Sequence, residues 1–130
     1  MNETYIKMCD CPEIQGQKPQ WLDGEFVALR GVDTKAEQAG EWLMHTDDRF
    51  VWCPMQHQLQ EMVSGQFFTY EGSDEAKMPN PAGMIHCFSE FYNERYEYAS
   101  YETAWLAFAM EELHNKTWDG ETWIGGNDGK

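Results

Sequence analysis

The chain has 130 residues and sets 23 Asp and Glu against 9 Lys and Arg, a net charge of −14. This length points to one domain around one core. The acid excess excludes the basic stripe of a nucleic-acid binder and a polybasic membrane anchor, while a hydrophobic share of 42% with 6 Trp, 6 Tyr and 7 Phe excludes an acidic disordered tail.

In chain order, Tyr5, Ile6 and Cys9 are spaced for a short helix over Glu3–Cys9, and Pro12 ends it or starts a second turn. Glu25–Arg30 is an apolar run between Gly24 and Gly31 and reads as a mostly buried strand. Residues 31–40 are polar and read as loop. Trp42–His45 reads as a second strand and Arg49–Cys53 as a third. Pro54 suits the first turn of a helix whose stripe is Met55, Leu59, Met62 and Val63. Ser64-Gly65 stops that helix, and Gln66–Tyr70 is strand-like. Glu71–Gly83 has no apolar period and reads as a mobile loop.

Met84, Phe88, Phe91 or Tyr92, and Tyr96 then follow a helical period, although Tyr96 and Tyr98 also alternate as in a strand. Ser100 is a good N-cap for a helix whose buried face is Trp105, Leu106, Ala109, Met110 and Leu113. Asn115 suits its left-handed end. Lys116–Ile124 reads as a hairpin with Asp119-Gly120 as a type I′ turn. The sum is a single α+β domain over residues 1–124, with about five short, mostly antiparallel strands, three or four helices, a C-terminal β-hairpin and a flexible tail at 125–130.

The opening residues lack the charged and apolar regions of a secretory signal, and no apolar run approaches a membrane span. A cytosolic protein with reduced thiols is expected. Zinc would ask for four ligands, and Cys9, Cys11, Cys53 and His57 offer two pairs, but Cys-x-Cys is an unusual spacing for a structural site. The competing reading is small buried residues, and it leaves the chain without a metal or cofactor. No glycine-rich loop precedes a helix as a phosphate cradle would, and no acid/base pair stands out among so many carboxylates. A binding protein, not an enzyme, is the expectation.

The stretch from Glu90 to Glu112 holds Glu90, Glu94, Glu97, Glu102, Glu111 and Glu112 against Arg95 alone. In a helix, Glu90, Glu94 and Glu97 share one face with no Lys at compensating positions. Glu111 and Glu112 sit near a helix C-terminus, where negative charge costs about 0.3–1 kcal/mol. Two readings compete: a surface that imitates a phosphate track and occupies another protein's basic groove, or a solvated face that keeps the chain soluble. Trp21 and Trp42 flank loops and offer a stacking pocket for a nucleotide-like ligand. Lys7, Lys18, Arg30, Lys35 and Arg49 would then meet its phosphates.

Three segments carry a resemblance: Tyr5–Gln15 with its Glu-Ile-Gln, Trp52–Met62 with Trp-x-Pro-x-Gln-x-Gln-Leu-x-x-Met, and Ala104–Met110 leading into Trp-Asp-Gly-x-x-Trp at Trp118–Trp123. Together they resemble a group of small accessory proteins of tailed bacteriophages and prophages. The group has no assigned chemistry, so it implies a setting and no catalytic residue. That setting is the cytoplasm of a bacterial host, where such proteins often oppose immunity, including CRISPR effectors and nucleotide signalling. The combined expectation is a counter-defence protein whose partner is a host protein with a basic nucleic-acid groove. Direct nucleic-acid binding and membrane binding are not expected. The alternatives are a sequestering protein for a nucleotide immune signal and a zinc-stabilised structural domain. Oligomeric state stays open.

Overall fold

Tyr5, Ile6, Met8 and Cys9 leave water together because a helix turns residues three and four apart onto one side. They form α1 (Glu3–Cys9), and Pro12 opens a single-turn α2 (Pro12–Gln15). The computed structural model describes residues 3–40, 43–44, 46–71, 76–94 and 100–125. These form an α+β fold of five helices and seven short strands. The chain divides into two compact units: Met1–Met55 with Trp118–Ile124, and Gln56–Thr117 with Gly125–Lys130.

In the first unit, β1 (Phe26–Leu29) lies between β2 (Glu37–Gln38) and β3 (Phe50–Trp52), antiparallel to both. Two of the expected strands are therefore present. The polar loop expected at 31–40 contains the edge strand β2, which is exposed and has no apolar alternation to announce it. A charged two-residue edge also discourages further strands from adding there. The strand expected at Trp42–His45 falls partly outside the described residues. Met44 makes one isolated bridge to Trp21, and Leu22 N donates to Leu43 O at 2.9 Å.

Both α1 and α2 pack on β3, and a side-chain amide completes that junction. Gln15 Nε2 donates to the carbonyls of Cys9 and Trp52 at 2.8 and 2.9 Å, while its Oε1 accepts from Trp52 N at 3.0 Å. Gln15 thus does for β3 what a neighbouring strand would do, satisfying both polar groups of a buried backbone. Tyr5 Oη donates to Pro54 O at 2.5 Å, and Trp52 Nε1 donates to Glu25 Oε1 at 2.9 Å. Trp123 Nε1 donates to Met8 O at 2.9 Å.

The second unit is built on apolar contact. Its α3 (Gln56–Ser64) starts two residues after Pro54 and buries Leu59 and Val63. Next come β4 (Phe68–Glu71) and β5 (Ala76–Pro79), an antiparallel pair, and then α4 (Pro81–Glu94). Of the mobile loop expected at Glu71–Gly83, residues 72–75 lie outside the described residues, and the part from Ala76 on is corrected: it is strand and helix, with the two prolines as element boundaries. Pro79 closes the ladder opposite Phe68, Asn80 N donates to Phe67 O at 3.1 Å, and Pro81 opens α4.

The final helix, α5 (Tyr101–His114), starts where expected: Ser100 Oγ accepts from Thr103 N at 3.2 Å, and Asn115 ends it with a φ of 60°. It buries more than the one face expected. Every residue from Thr103 to Met110 is buried, because Ala104, Ala107 and Ala109 supply close-packing surfaces between the large side chains. Both α3 and α4 pack against it. Phe88 stacks on Trp105 at 3.9 Å, and Phe108 meets Trp105 and Phe88 edge-on at 5.6 and 5.7 Å.

β6 (Lys116–Trp118) and β7 (Trp123–Gly125) make the C-terminal hairpin. Its turn is not the expected type I′, which needs positive φ at both Asp119 and Gly120. Only Gly120 has it, at 110°. The loop instead spans four residues, with Asp119 Oδ1 accepting from the amides of Glu121 and Thr122 at 2.8 Å each. Those amides hold the Asp119 carboxyl below the usual carboxylate range. Beyond Gly125, the tail expected to be flexible lies outside the described residues.

Candidate functional site

The two units carry equal formal charge: the first has 12 acids and 5 bases, the second 11 acids and 4 bases, so each is −7. On α4, Asn80 Oδ1 accepts from Gly83 N at 3.1 Å and fixes the first turn. The helix buries Met84, Phe88 and Phe91, which turns Ile85, His86, Ser89, Glu90 and Asn93 outward. Glu90 Oε2 lies 3.5 Å from His86 Nε2, one turn away. Among the described residues, Glu90 meets no Lys or Arg. Glu94 ends α4, but its side chain is outside the described ones, and Glu97 lies outside the described residues.

The carboxylates of α5 are not a continuous row. Glu102 is half-buried in its first turn, and Glu111 and Glu112 lie in its last. The eight buried residues between them separate the two ends by about 13 Å at 1.5 Å per residue. Burial, and then the neighbouring charge of Glu111, push the Glu112 carboxyl up. The apolar demand of the core decides this arrangement, since a helix buried all round can carry charge only at its ends.

Two of the five basic residues expected to serve a nucleotide pocket, Arg30 and Arg49, already hold carboxylates. Arg30 clamps Asp10 with Nε and Nη2 at 3.0 and 3.1 Å and also donates to Asp48 O. Arg49 grips Asp47 through Nε and Nη2 at 3.0 and 2.8 Å, and the Asp47 carboxyl falls to about 2 as a result. Trp21 is 48% exposed, while Trp42 lies outside the described residues. A cleft of about 290 Å³ is lined in part by Ile6, Val51, Lys7, Arg30, Asp10 and Asp33. Asp33 Oδ2 there accepts from Leu29 N at 2.7 Å, so apart from Lys7 these polar groups already bond within the protein.

The residues of the zinc alternative are not brought together as a ligand set. Among the described residues no group of three or more His, Cys, Asp or Glu is placed to hold a metal ion, and the quartet Cys9, Cys11, Cys53 and His57 makes none. Cys9 and Cys53 are fully buried thiols, whereas His57 is exposed on α3. Burial, and then the contact with Cys53, raise the Cys9 thiol well above its ordinary value. Cys11 donates to Met8 O at 3.6 Å, and burial pushes it up to about 11. Neither thiol is a ready nucleophile at neutral pH.

Two features carry more structural weight than the sequence reading gave them. One is Gln15, whose type and position hold no signal until the fold brings Trp52 to it. The other is the exposed ring of Tyr101, which the helical pattern places at a helix start without saying what it faces. A scan against protein-family models, a search of curated proteins and a search of solved structures each return no match. No helix among the described residues is long and apolar enough to cross a membrane.

Proposed function

We propose that this chain is a phage-encoded accessory protein that binds a host nucleic-acid-handling protein, such as a CRISPR effector, and blocks its basic groove by standing in for nucleic acid. The observation that carries the reading is the outward face of α4, where Glu90 is exposed and, among the described residues, pairs with the His86 imidazole and with no Lys or Arg. An exposed carboxylate presents its field to another molecule. The raised Glu112 carboxyl beside Glu111 supports the same reading, because that placement costs stability. Acids on separate elements fit a set of discrete contacts better than a continuous track. The resemblance to phage accessory proteins supplies the setting.

Replacing Glu90, Glu94 and Glu97 together by Lys tests this. The expected result is loss of partner binding by at least about a hundredfold, with wild-type binding falling steeply as salt rises. Affinity unchanged by the triple reversal contradicts the reading.

A further inference from the structure

We propose that Cys9 and Cys53 form a modification site, a buried dithiol that a small disulfide oxidant converts to a disulfide tying α1 to the end of β3. The proposal is independent of the partner-binding reading above.

Cys9 is the last residue of α1, and Cys53 directly follows β3, the strand on which α1 packs. Both residues are 0% exposed. Their backbones converge on one side-chain nitrogen. Gln15 Nε2 donates to Cys9 O at 2.8 Å and to Trp52 O, the carbonyl just before Cys53, at 2.9 Å. The two thiols are hydrogen-bonded to each other, and Cys53 Sγ also donates to Val51 O at 3.6 Å. A small apolar side chain would fill either position as well as cysteine does. Two thiols in contact add a reaction that packing does not require. The other cysteines are placed differently: Cys11 Sγ donates to Met8 O at 3.6 Å, and Cys87 belongs to the second unit.

While α1 is seated, the pair is shielded from reagents, and burial keeps the Cys9 thiol protonated. Reaction therefore waits on local opening of this seven-residue helix. With oxidised glutathione, the exposed Cys9 thiolate attacks one glutathione sulfur and releases the other glutathione as a thiolate. When α1 returns, the Cys53 thiolate displaces the bound glutathione and closes the protein disulfide. One glutathione S–S bond breaks and one protein S–S bond forms. The two electrons and the two thiol protons leave on two molecules of glutathione. The link spans a long loop of chain, so it restricts the unfolded state and raises stability.

The test incubates the folded, full-length protein with oxidised glutathione at neutral pH. Remaining thiols are then alkylated in denaturant and the linked peptides mapped by mass spectrometry. A C11A variant, treated in parallel, makes the assignment to Cys9 unambiguous. The expected product is lighter by two hydrogens, carries a Cys9–Cys53 link in both chains, and melts at least about 5 °C higher than the reduced form. Reduction should reverse both changes. If Cys9 and Cys53 stay alkylatable, whatever Cys11 and Cys87 do, the pair is inert packing and the proposal fails. A Cys9–Cys11 link, or a Cys9–Cys53 link that lowers Tm, would equally overturn it.

Discussion

In the first unit, Arg30 holds Asp10, Arg49 holds Asp47, and Gln15 closes the polar backbone of Trp52. In the second, Phe88, Trp105 and Phe108 form the core, and Glu90 faces outward beside a histidine. The two carry the same net charge and use it differently. The first spends polar groups on joining α1, α2 and β3, whereas the second gets its cohesion from apolar area, and its exposed Glu90 meets no Lys or Arg among the described residues.

That contrast can be broken most severely from the apolar side. W105A removes the ring that Phe88 stacks on and leaves a cavity in a helix buried on every face, so it should cost about 3–5 kcal/mol in urea unfolding. A cost below about 1 kcal/mol would mean that the second unit is not held by its aromatic core. From the polar side, Q15A strands the N–H and C=O of Trp52, which is 2% exposed. It should cost about 2–3 kcal/mol, and Q15E should not restore it, because a carboxylate cannot donate to the two carbonyls. Equal stability of Q15E and wild type at pH 7 would overturn the role of the amide.

The smallest effect concerns Glu112. Its carboxyl is raised in the folded state, so the protonated form favours folding. Relative to an unshifted group, the stabilising contribution is present below the unfolded value near 4.3 and is lost as pH rises through the raised folded value. E112Q should therefore raise Tm slightly at pH 7 and leave it unchanged near pH 3.5. A lower Tm at pH 7 would show that Glu112 has a favourable partner and serves stability.

Periodicity was enough to place α1, α3 and α5, because each announces itself by apolar spacing or by a cap such as Ser100. β1 and β3 were equally legible as apolar runs between turn residues. β2 and β5 were not, since two polar residues at an edge, or a strand ending in proline, look like loop until a neighbour pairs with them. The same limit applies to the site. Acidity could be counted along Glu90–Glu112, but burial of Thr103–Met110 on all sides, which divides those acids between the ends of α5, depends on three helices meeting. Arg30 and Arg49 looked available for phosphate because their carboxylate partners become neighbours only through turns and sheet pairing.

The most direct test of the central claim is competition. The tagged chain is incubated with nuclease-treated host lysate, and the captured partner is challenged with added nucleic acid at fixed salt. The account predicts a nucleic-acid-binding protein that is displaced by the added strand and is absent from the E90K/E94K/E97K bait. A partner held equally by the charge-reversed bait and indifferent to nucleic acid would contradict it.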